Sequence, residues 1–269
     1  MRGRDVVIGI AAALLLLTIM VVVLSGGTAC TPSTEIRRLA EFYLKHCINL
    51  YNKTWWTSSP AAVTSMLWDY RGIDTYYETS VFFLAIIGGV ALFRVVEVKL
   101  GAGGREEKKE LGLSLIVKTS TRIVFLLILI VAVSVALHGH VNPGGGFQAG
   151  SVLAVGPLLF MAAFSRRFLE DRLKLDRAKC VALLTIGLIL IVLVIASPLV
   201  VGGALMQNQP KYWLPKSPWG YLTHVGPLEL SGTLFFLDVA EFLVVSFGFT
   251  LLFIIVSIPE KEFRRLLGL

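Results

Sequence analysis

The stretch LIVKTSTRIVFLLILIVAVSVALHGHVNPGGGFQAGSVLAVGPLLFMAAF, residues 115–164, sets the fold of this chain. Two apolar runs, Leu115–Leu137 and Phe147–Phe164, flank a loop with two histidines, a proline and three consecutive glycines. An apolar run of about 20 residues is long enough to cross the hydrocarbon core of a bilayer as a helix. The pattern therefore predicts two membrane helices joined by a short loop of unusual backbone conformation.

Four further apolar runs have comparable length: Val6–Leu24, Thr79–Val98, Cys180–Val201 and Thr233–Ile258. Charged residues make up only 16% of the chain, against about a quarter in soluble domains. We therefore predict an all-α, multi-pass protein of the cell membrane with about six transmembrane helices. The first run exceeds the roughly 7–15 apolar residues of a secretory signal, so an uncleaved helix is favoured over a cleaved signal peptide.

The net charge of +7 comes from Lys and Arg residues whose distribution along the chain fits the predicted topology. With the N-terminus inside, most of the 25 Lys and Arg residues fall in inner segments, chiefly 94–122, 166–179 and the C-terminal tail. Inner loops of membrane proteins carry this excess, so both termini are predicted inside. We expect lipid around the chain and no nucleic acid.

Two units are predicted along the chain. The segment Gly101–Leu111, rich in glycine and then in charge, is typical of a linker between a two-span unit, 1–100, and a four-span unit, 112–269. The first unit includes a helical segment outside the membrane. Within it, Ser59 precedes a proline and favours a helix start, and Thr75 favours a capping box at the start of the second span.

Neither the cysteines nor the sequence motifs indicate a catalytic site. Cys30 and Cys47 fall in the outer segment, and a disulfide between them is a hypothesis. Three widely spaced cysteines exclude an iron–sulfur cluster held by this chain alone. No P-loop or HExxH motif occurs, so we expect no catalytic residue, no metal and no cofactor on this chain.

Ionisable residues within predicted spans are costly and are functional candidates by default. Asp238 and Glu241 lie three apart and share a helix face. They could pass a proton or bind sodium, or instead hydrogen-bond to a neighbouring helix. Arg122 is deep enough to pair with an acid on another subunit, and His138 and His140 are candidates for ion handling.

The loop itself has a structural alternative to ion handling. Non-helical backbone at membrane depth is tolerated only where protein buries it or where it lines an aqueous cavity. The loop is therefore predicted either to dock tightly on a neighbouring subunit or to border a hydrated cavity.

The loop and its flanks resemble the MnhB (MrpB) component of the multisubunit Mrp (Mnh) cation/proton antiporters. That family carries the signature GH-x-x-PGGGF-Q-x-G, and THVGPLELSGTLFFLDVAEFLVV, residues 223–245, resembles its last helix. The resemblance spans about 112–258. The matching residues, which it implies are a structural motif, are His140, Pro143, Gly144, Gly145, Gly146, Phe147, Gln148 and Gly150.

The stretch VTSMLWDYRGIDTYYETSVFFLAIIGGVA, residues 63–91, resembles the C-terminal tail of MrpA, the large component of the same antiporters. That tail carries the signature RG-x-DT-x-x-E. The matching residues are Arg71, Gly72, Asp74, Thr75 and Glu78. Glu78 joins the candidates for the ion pathway.

Together the two resemblances imply a fusion of an MrpA tail with an MnhB domain, whereas separate chains are usual in the antiporters. They imply an auxiliary subunit of a Na⁺/H⁺ antiporter module that contributes to the ion-translocation interface and to assembly. Its partners would be other Mrp-type subunits, and hydrogenase-like redox subunits if the parent is an archaeal membrane-bound hydrogenase or sulfane-sulfur reductase. The alternative is a purely structural scaffold subunit of a complex I-like respiratory complex. In either case the chain is not expected to be an enzyme.

Overall fold

A computed structural model describes residues 3–24, 36–48, 51, 53–102, 113–211 and 218–257. This part of the chain is mostly helical, as predicted. It falls into two compact units, Met1–Phe42 and Tyr43–Leu269. The helices are α1 (Gly3–Leu24), α2 (Arg38–His46), α3 (Ala62–Ser65), α4 (Gly72–Ala102), α5 (Leu115–His138), α6 (Gly146–Ala163), α7 (Arg166–Asp171), α8 (Arg177–Ala196) and α9 (Thr233–Val256).

Short irregular elements complete the described part of the chain. A π-helical turn, Met66–Tyr70, continues α3, and 3₁₀ turns occupy Lys53–Trp55 and Ser197–Val201. Strands β1 (His224–Val225) and β2 (Leu228–Glu229) form an antiparallel hairpin between α8 and α9.

Four helices of the described chain are long and apolar enough to cross a membrane. They are α5, α6, α9, and α8 together with its 3₁₀ extension. Their ends agree with the apolar runs to within a few residues, because each run ends where glycine, proline or charge begins. Helices α1 and α4 coincide with the other two runs, but they are not among these four helices. The count of six spans therefore stays a prediction.

Helix α9 is the centre of the second unit and packs against α4, α5, α6 and α8. In its most apolar stretch 56% of residues are buried, against 17% in that of α5. Small residues permit the close approach. A Cβ added to Gly187 of α8 would lie 2.8 Å from Val244 Cγ2, and one added to Gly150 of α6 would lie 2.7 Å from Val245 Cβ.

Two predicted helix caps have other roles. Ala61, not Ser59, occupies the N-cap position of α3, and Ser59 Oγ donates to the carbonyl of His140 at 2.5 Å. Thr75 lies inside α4, and its hydroxyl donates to the carbonyl of Leu67 at 2.7 Å. Both hydroxyls satisfy carbonyls of other segments, because a buried carbonyl without a donor is costlier than an uncapped helix end.

Two predictions concern residues outside the described ranges. Cys30 lies outside them, so the disulfide with the buried Cys47 stays a hypothesis. The linker Gly101–Leu111 lies outside them from residue 103 onwards. The division at that linker therefore stays a prediction.

Candidate ion-binding cavity

The glycine-rich loop between α5 and α6 is hydrogen-bonded to residues 59–65, which belong to the predicted outer segment of the same chain. Thr64 Oγ1 donates to the carbonyl of Gly139 at 2.6 Å, and the Ala61 N–H donates to the carbonyl of His140 at 3.3 Å. Together with the bond from Ser59, these bonds supply donors to loop carbonyls that would have no hydrogen-bond partner in lipid. The expected shielding at these carbonyls therefore comes from the chain itself and not from a neighbouring subunit.

The other side of the loop lies directly against α9. Gly145 has φ +142°, a conformation that favours glycine. A Cβ added to Gly146 would collide with the Asp238 carbonyl and lie 2.7 Å from Glu241 Cβ. One added to Gly139 would lie 2.9 Å from Asp238 Oδ2. The glycines thus let the loop backbone reach both carboxyl side chains.

Asp238 and Glu241 are both buried, with 2% and 7% of their surface exposed. Gly146, the first residue of α6, lies directly against the pair, since a Cβ added to it would be 2.9 Å from Glu241 Oε2. Backbone N–H groups in the first turn of a helix have no partner within that helix and favour negative charge. The start of α6 is therefore built to face this carboxyl pair.

A cavity of about 160 Å³ opens beside the pair, which is room for several water molecules. Asp238, Glu241 and the exposed Glu78 of α4 line it with carboxyl groups. Within the described ranges, Asp238 Oδ2 has no hydrogen-bond partner. The remaining lining residues are Thr64, Leu67, Trp68, Thr75, Gly144, Gly145, Phe147 and Gln148. Carboxylate, hydroxyl and amide oxygens suit a proton or a hard cation.

The two loop histidines do not line this cavity. His138 is exposed, and its Nδ1 bonds the carbonyl of Ser134 at 2.8 Å. His140 is buried with its ring edge-on to Phe235, the ring centroids being 5.2 Å apart. Burial lowers the pKa of His140, and His138 acts in the same direction. The contribution of His140 that the structure shows is the docking of the loop.

Arg122 also lies away from the cavity. It is near the beginning of α5, whereas the cavity is beside the end of that helix. Its guanidinium carbon lies 5.3 Å from the centre of the Phe164 ring, a cation–π distance. Of the six ion-pathway candidates, the structure brings together Glu78, Asp238 and Glu241.

The other residues of the second signature shape the start of α4, which carries Glu78. Arg71 Nε donates to Asp74 Oδ2 at 2.7 Å, and both side chains are exposed. Gly72 is covered by Met206, whose Cε would lie 2.8 Å from an added Cβ. Thr75 then ties the helix to the π-helical turn.

Sequence reasoning missed the residue that caps α9. Asn208 Oδ1 accepts from the Thr233 N–H at 2.8 Å, and its amide donates to the carbonyl of Thr57 at 2.6 Å. The available signal was Gly232 at the N-cap position, because a glycine cap needs an acceptor from elsewhere. Trp68, which lines the cavity beside Asp238, had no comparable signal.

This architecture is that of a multi-pass membrane protein with a polar cavity against a central helix. Residues 116–251 match the family described as a domain related to the MnhB subunit of the Na⁺/H⁺ antiporter, and the chain belongs to that family. It is 31% identical over 144 residues to the B-type subunit of the Na⁺/H⁺ antiporter of Alkalihalophilus pseudofirmus, covering 54% of this chain and 91% of that protein.

Two solved structures share the fold. One chain of the Mrp complex from Dietzia sp. DQ12-45-1b superposes with a TM-score of 0.56 and 21% identity, over 96% of this chain and 26% of its own length. This chain thus spans about a quarter of that one. A chain of the membrane-bound sulfane sulfur reductase, an archaeal respiratory membrane complex, superposes with a TM-score of 0.51 and 25% identity, over 92% of this chain and 97% of its own. Each match extends beyond the MnhB-like part into the N-terminal helices.

Proposed function

We propose that this chain is an auxiliary subunit of a multisubunit Na⁺/H⁺ antiporter module within a redox-driven respiratory complex. It contributes carboxyl groups to the ion-translocation interface and helps to hold the assembly together. Other antiporter-type and redox subunits are its partners, and the redox chemistry lies on them. The family membership and the full-length match to a chain of a respiratory complex support this assignment.

The observation that carries the ionic role is the cavity beside α9. Glu78 of α4 is far in sequence from Asp238 and Glu241 of α9, yet all three line one space of about 160 Å³. An isolated carboxylate is costly in apolar surroundings, so such a group takes up a proton or a cation. A cavity lined by such carboxylates can exchange a bound proton for a cation.

A second candidate function is a scaffold without ion contact. The close packing of Gly139 and Gly146 on Asp238 favours it, because contact with the loop gives this residue a structural task. In that case the acids fix the loop to α9, and their charge is not used in transport. Neutralising each acid separates the two functions.

The test uses the assembled complex in inverted membrane vesicles. Glu241→Gln keeps the size of the side chain but can neither carry a proton nor neutralise a cation. We expect the rate of Na⁺-dependent proton movement to fall by about an order of magnitude. The readout is a pH-sensitive dye during Na⁺ pulses, at matched amounts of complex on blue-native gels.

The matched control is Glu229→Gln, the same replacement at an exposed residue of the β-hairpin. It should leave the rate unchanged. Assembled Glu241→Gln and Asp238→Asn complexes with the full wild-type rate would retire the ionic role and favour the scaffold.

A further inference from the structure

A buried ion pair joins the outer segment to the α8–α9 loop. Lys211 Nζ lies 2.6 Å from Asp69 Oδ2, and only 8% and 4% of the two side chains are exposed. The ammonium also donates to the carbonyl of Trp56 at 2.6 Å and lies 5.6 Å from the centre of the Tyr70 ring. Burial raises the pKa of Asp69, and Lys211 opposes that rise.

Asp69 follows Trp68 directly, within the π-helical turn Met66–Tyr70. The turn is closed by the bond from the Arg71 N–H to the Met66 carbonyl, at 2.9 Å. Single π-helical turns are rare and concentrate at functional sites. Of two consecutive residues of this turn, Asp69 thus pairs with Lys211, and Trp68 lines the cavity beside Asp238.

The ion pair does not line the cavity, whereas Trp68 and Asp238 both do. A buried pair of charges seldom stabilises a protein more than apolar side chains of the same size would, because both charges must be desolvated. Its stronger effect is on orientation, since either charge alone would be left uncompensated. The orientation at stake here is that of the turn that carries Trp68.

We propose that the Asp69–Lys211 ion pair is a positioning device that fixes the Trp68 indole in the cavity wall beside Asp238 and thereby sets the cavity's affinity for its cation. This inference rests on the proposed ionic function. Asp69 and Lys211 are positioning residues, because they act on the cation only through Trp68. Their loss weakens cation binding without abolishing turnover.

The experiment measures the Na⁺ concentration for half-maximal rate in inverted vesicles that contain the assembled complex. Asp69→Asn and Trp68→Phe should each raise it about three- to ten-fold, because the wall beside Asp238 is no longer fixed, an effect of the size of one lost hydrogen bond. The maximal rate of Asp69→Asn should stay near wild type. Asp171→Asn, the same change at an exposed residue, should alter neither quantity.

Coupling between the two sites distinguishes positioning from general damage. If Asp69 acts through Trp68, the double variant Asp69→Asn with Trp68→Phe should be no worse than Trp68→Phe alone. Lys211→Arg, which retains the cation, should keep the wild-type Na⁺ requirement. Effects of Asp69→Asn and Trp68→Phe that multiply in the double variant would overturn the proposal.

An apolar pair covers the case in which Asp69→Asn fails to assemble. Asp69→Leu with Lys211→Met removes both charges and leaves neither uncompensated. We expect it to assemble and to need more Na⁺, and a wild-type requirement would overturn the positioning role. If Asp238→Asn and Glu241→Gln change the Na⁺ response while these variants do not, only this inference fails. If no variant changes it, the ionic function falls as well.

Discussion

Gly146 is the residue at which the loop, α6 and α9 meet. Its missing side chain leaves room for the Asp238 carbonyl and for the Glu241 side chain of α9. The geometry of the cavity therefore depends on a residue that contributes no side chain to it.

We expect Gly146→Ala to reduce the amount of assembled complex, because the added methyl group would collide with the Asp238 carbonyl and push α6 away from α9. Overpacking of this kind costs about 1–3 kcal/mol. Blue-native gels and immunoblots of membranes measure the loss. Gly89→Ala is the matched control, since no atom lies within 4 Å of a Cβ added there. Equal amounts of complex in both variants would contradict the close approach.

His140 gives the loop contacts a dependence on pH. The pKa of this buried histidine lies below its unfolded value of about 6.5. The unfolded state then binds more protons in the window between the two values, so stability rises with pH there. The contribution of His140 is complete above about pH 6.5 and is lost as the pH falls through the folded pKa.

We therefore expect the melting temperature of the purified complex to fall below about pH 6.5. His140→Gln should flatten part of that fall, because glutamine does not titrate. His224→Gln, at an exposed histidine of the β-hairpin, should leave the profile as it is. Thermal unfolding between pH 5 and 8 measures all three. Parallel profiles for wild type and His140→Gln would show that this histidine is not the cause.

At the scale of elements, α9 depends on a cap from outside the helix. Asn208 supplies the acceptor for the first turn and ties it to Thr57 of the outer segment. We expect Asn208→Ala to destabilise the fold by about 1–2 kcal/mol, because Thr233 loses its acceptor and Thr57 its donor. The readout is the melting temperature of the complex.

Asn208→Asp is the partner variant for that measurement. It keeps the acceptor for Thr233, and a negative charge suits a helix N-terminus. Only the donation to Thr57 is lost, so its melting temperature should lie between those of wild type and Asn208→Ala. If both variants melt like wild type, the cap contributes nothing measurable.

Element positions were predictable from the sequence, whereas the partners of polar groups were not. The positions of α5 and of the glycine loop after it follow from the local amino-acid composition. The bonds that place the loop join residues far apart, such as Thr64 with Gly139, separated by 75 positions, and Asn208 with Thr57, separated by 151. Ser59 and Thr75 show the limit clearly, because both bond carbonyls of other segments instead of capping the predicted helices.

The candidate site was predictable in part for the same reason. The depth of Asp238 and Glu241 in a span followed from counting along one helix, and Glu78 followed from the family resemblance. Their convergence on one cavity depends on how α4, α6 and α9 pack. No spacing in the sequence encodes that Trp68 would line the same cavity as Asp238.

At the scale of the whole molecule, burial is unequal among the spans. Helix α9 is enclosed by its neighbours, while α5 leaves most of its apolar surface exposed, including Ile123, Leu127 and Ile130. Apolar surface of this extent is covered by lipid or by other subunits in a membrane complex. The cavity lies on the enclosed side, next to the helix that the rest of the chain surrounds.

The bonds between residues 59–65 and the glycine loop also bear on how the cell makes this protein. They interlock the MnhB-like portion with a portion that the sequence resemblance predicts to correspond to the tail of another antiporter subunit. Carried on a single polypeptide, the two portions are synthesised in equal numbers and meet without a search through the bilayer, because tethering raises their effective concentration. Neither portion is then made in excess, so no copy of the glycine loop lacks the donors that bond its carbonyls.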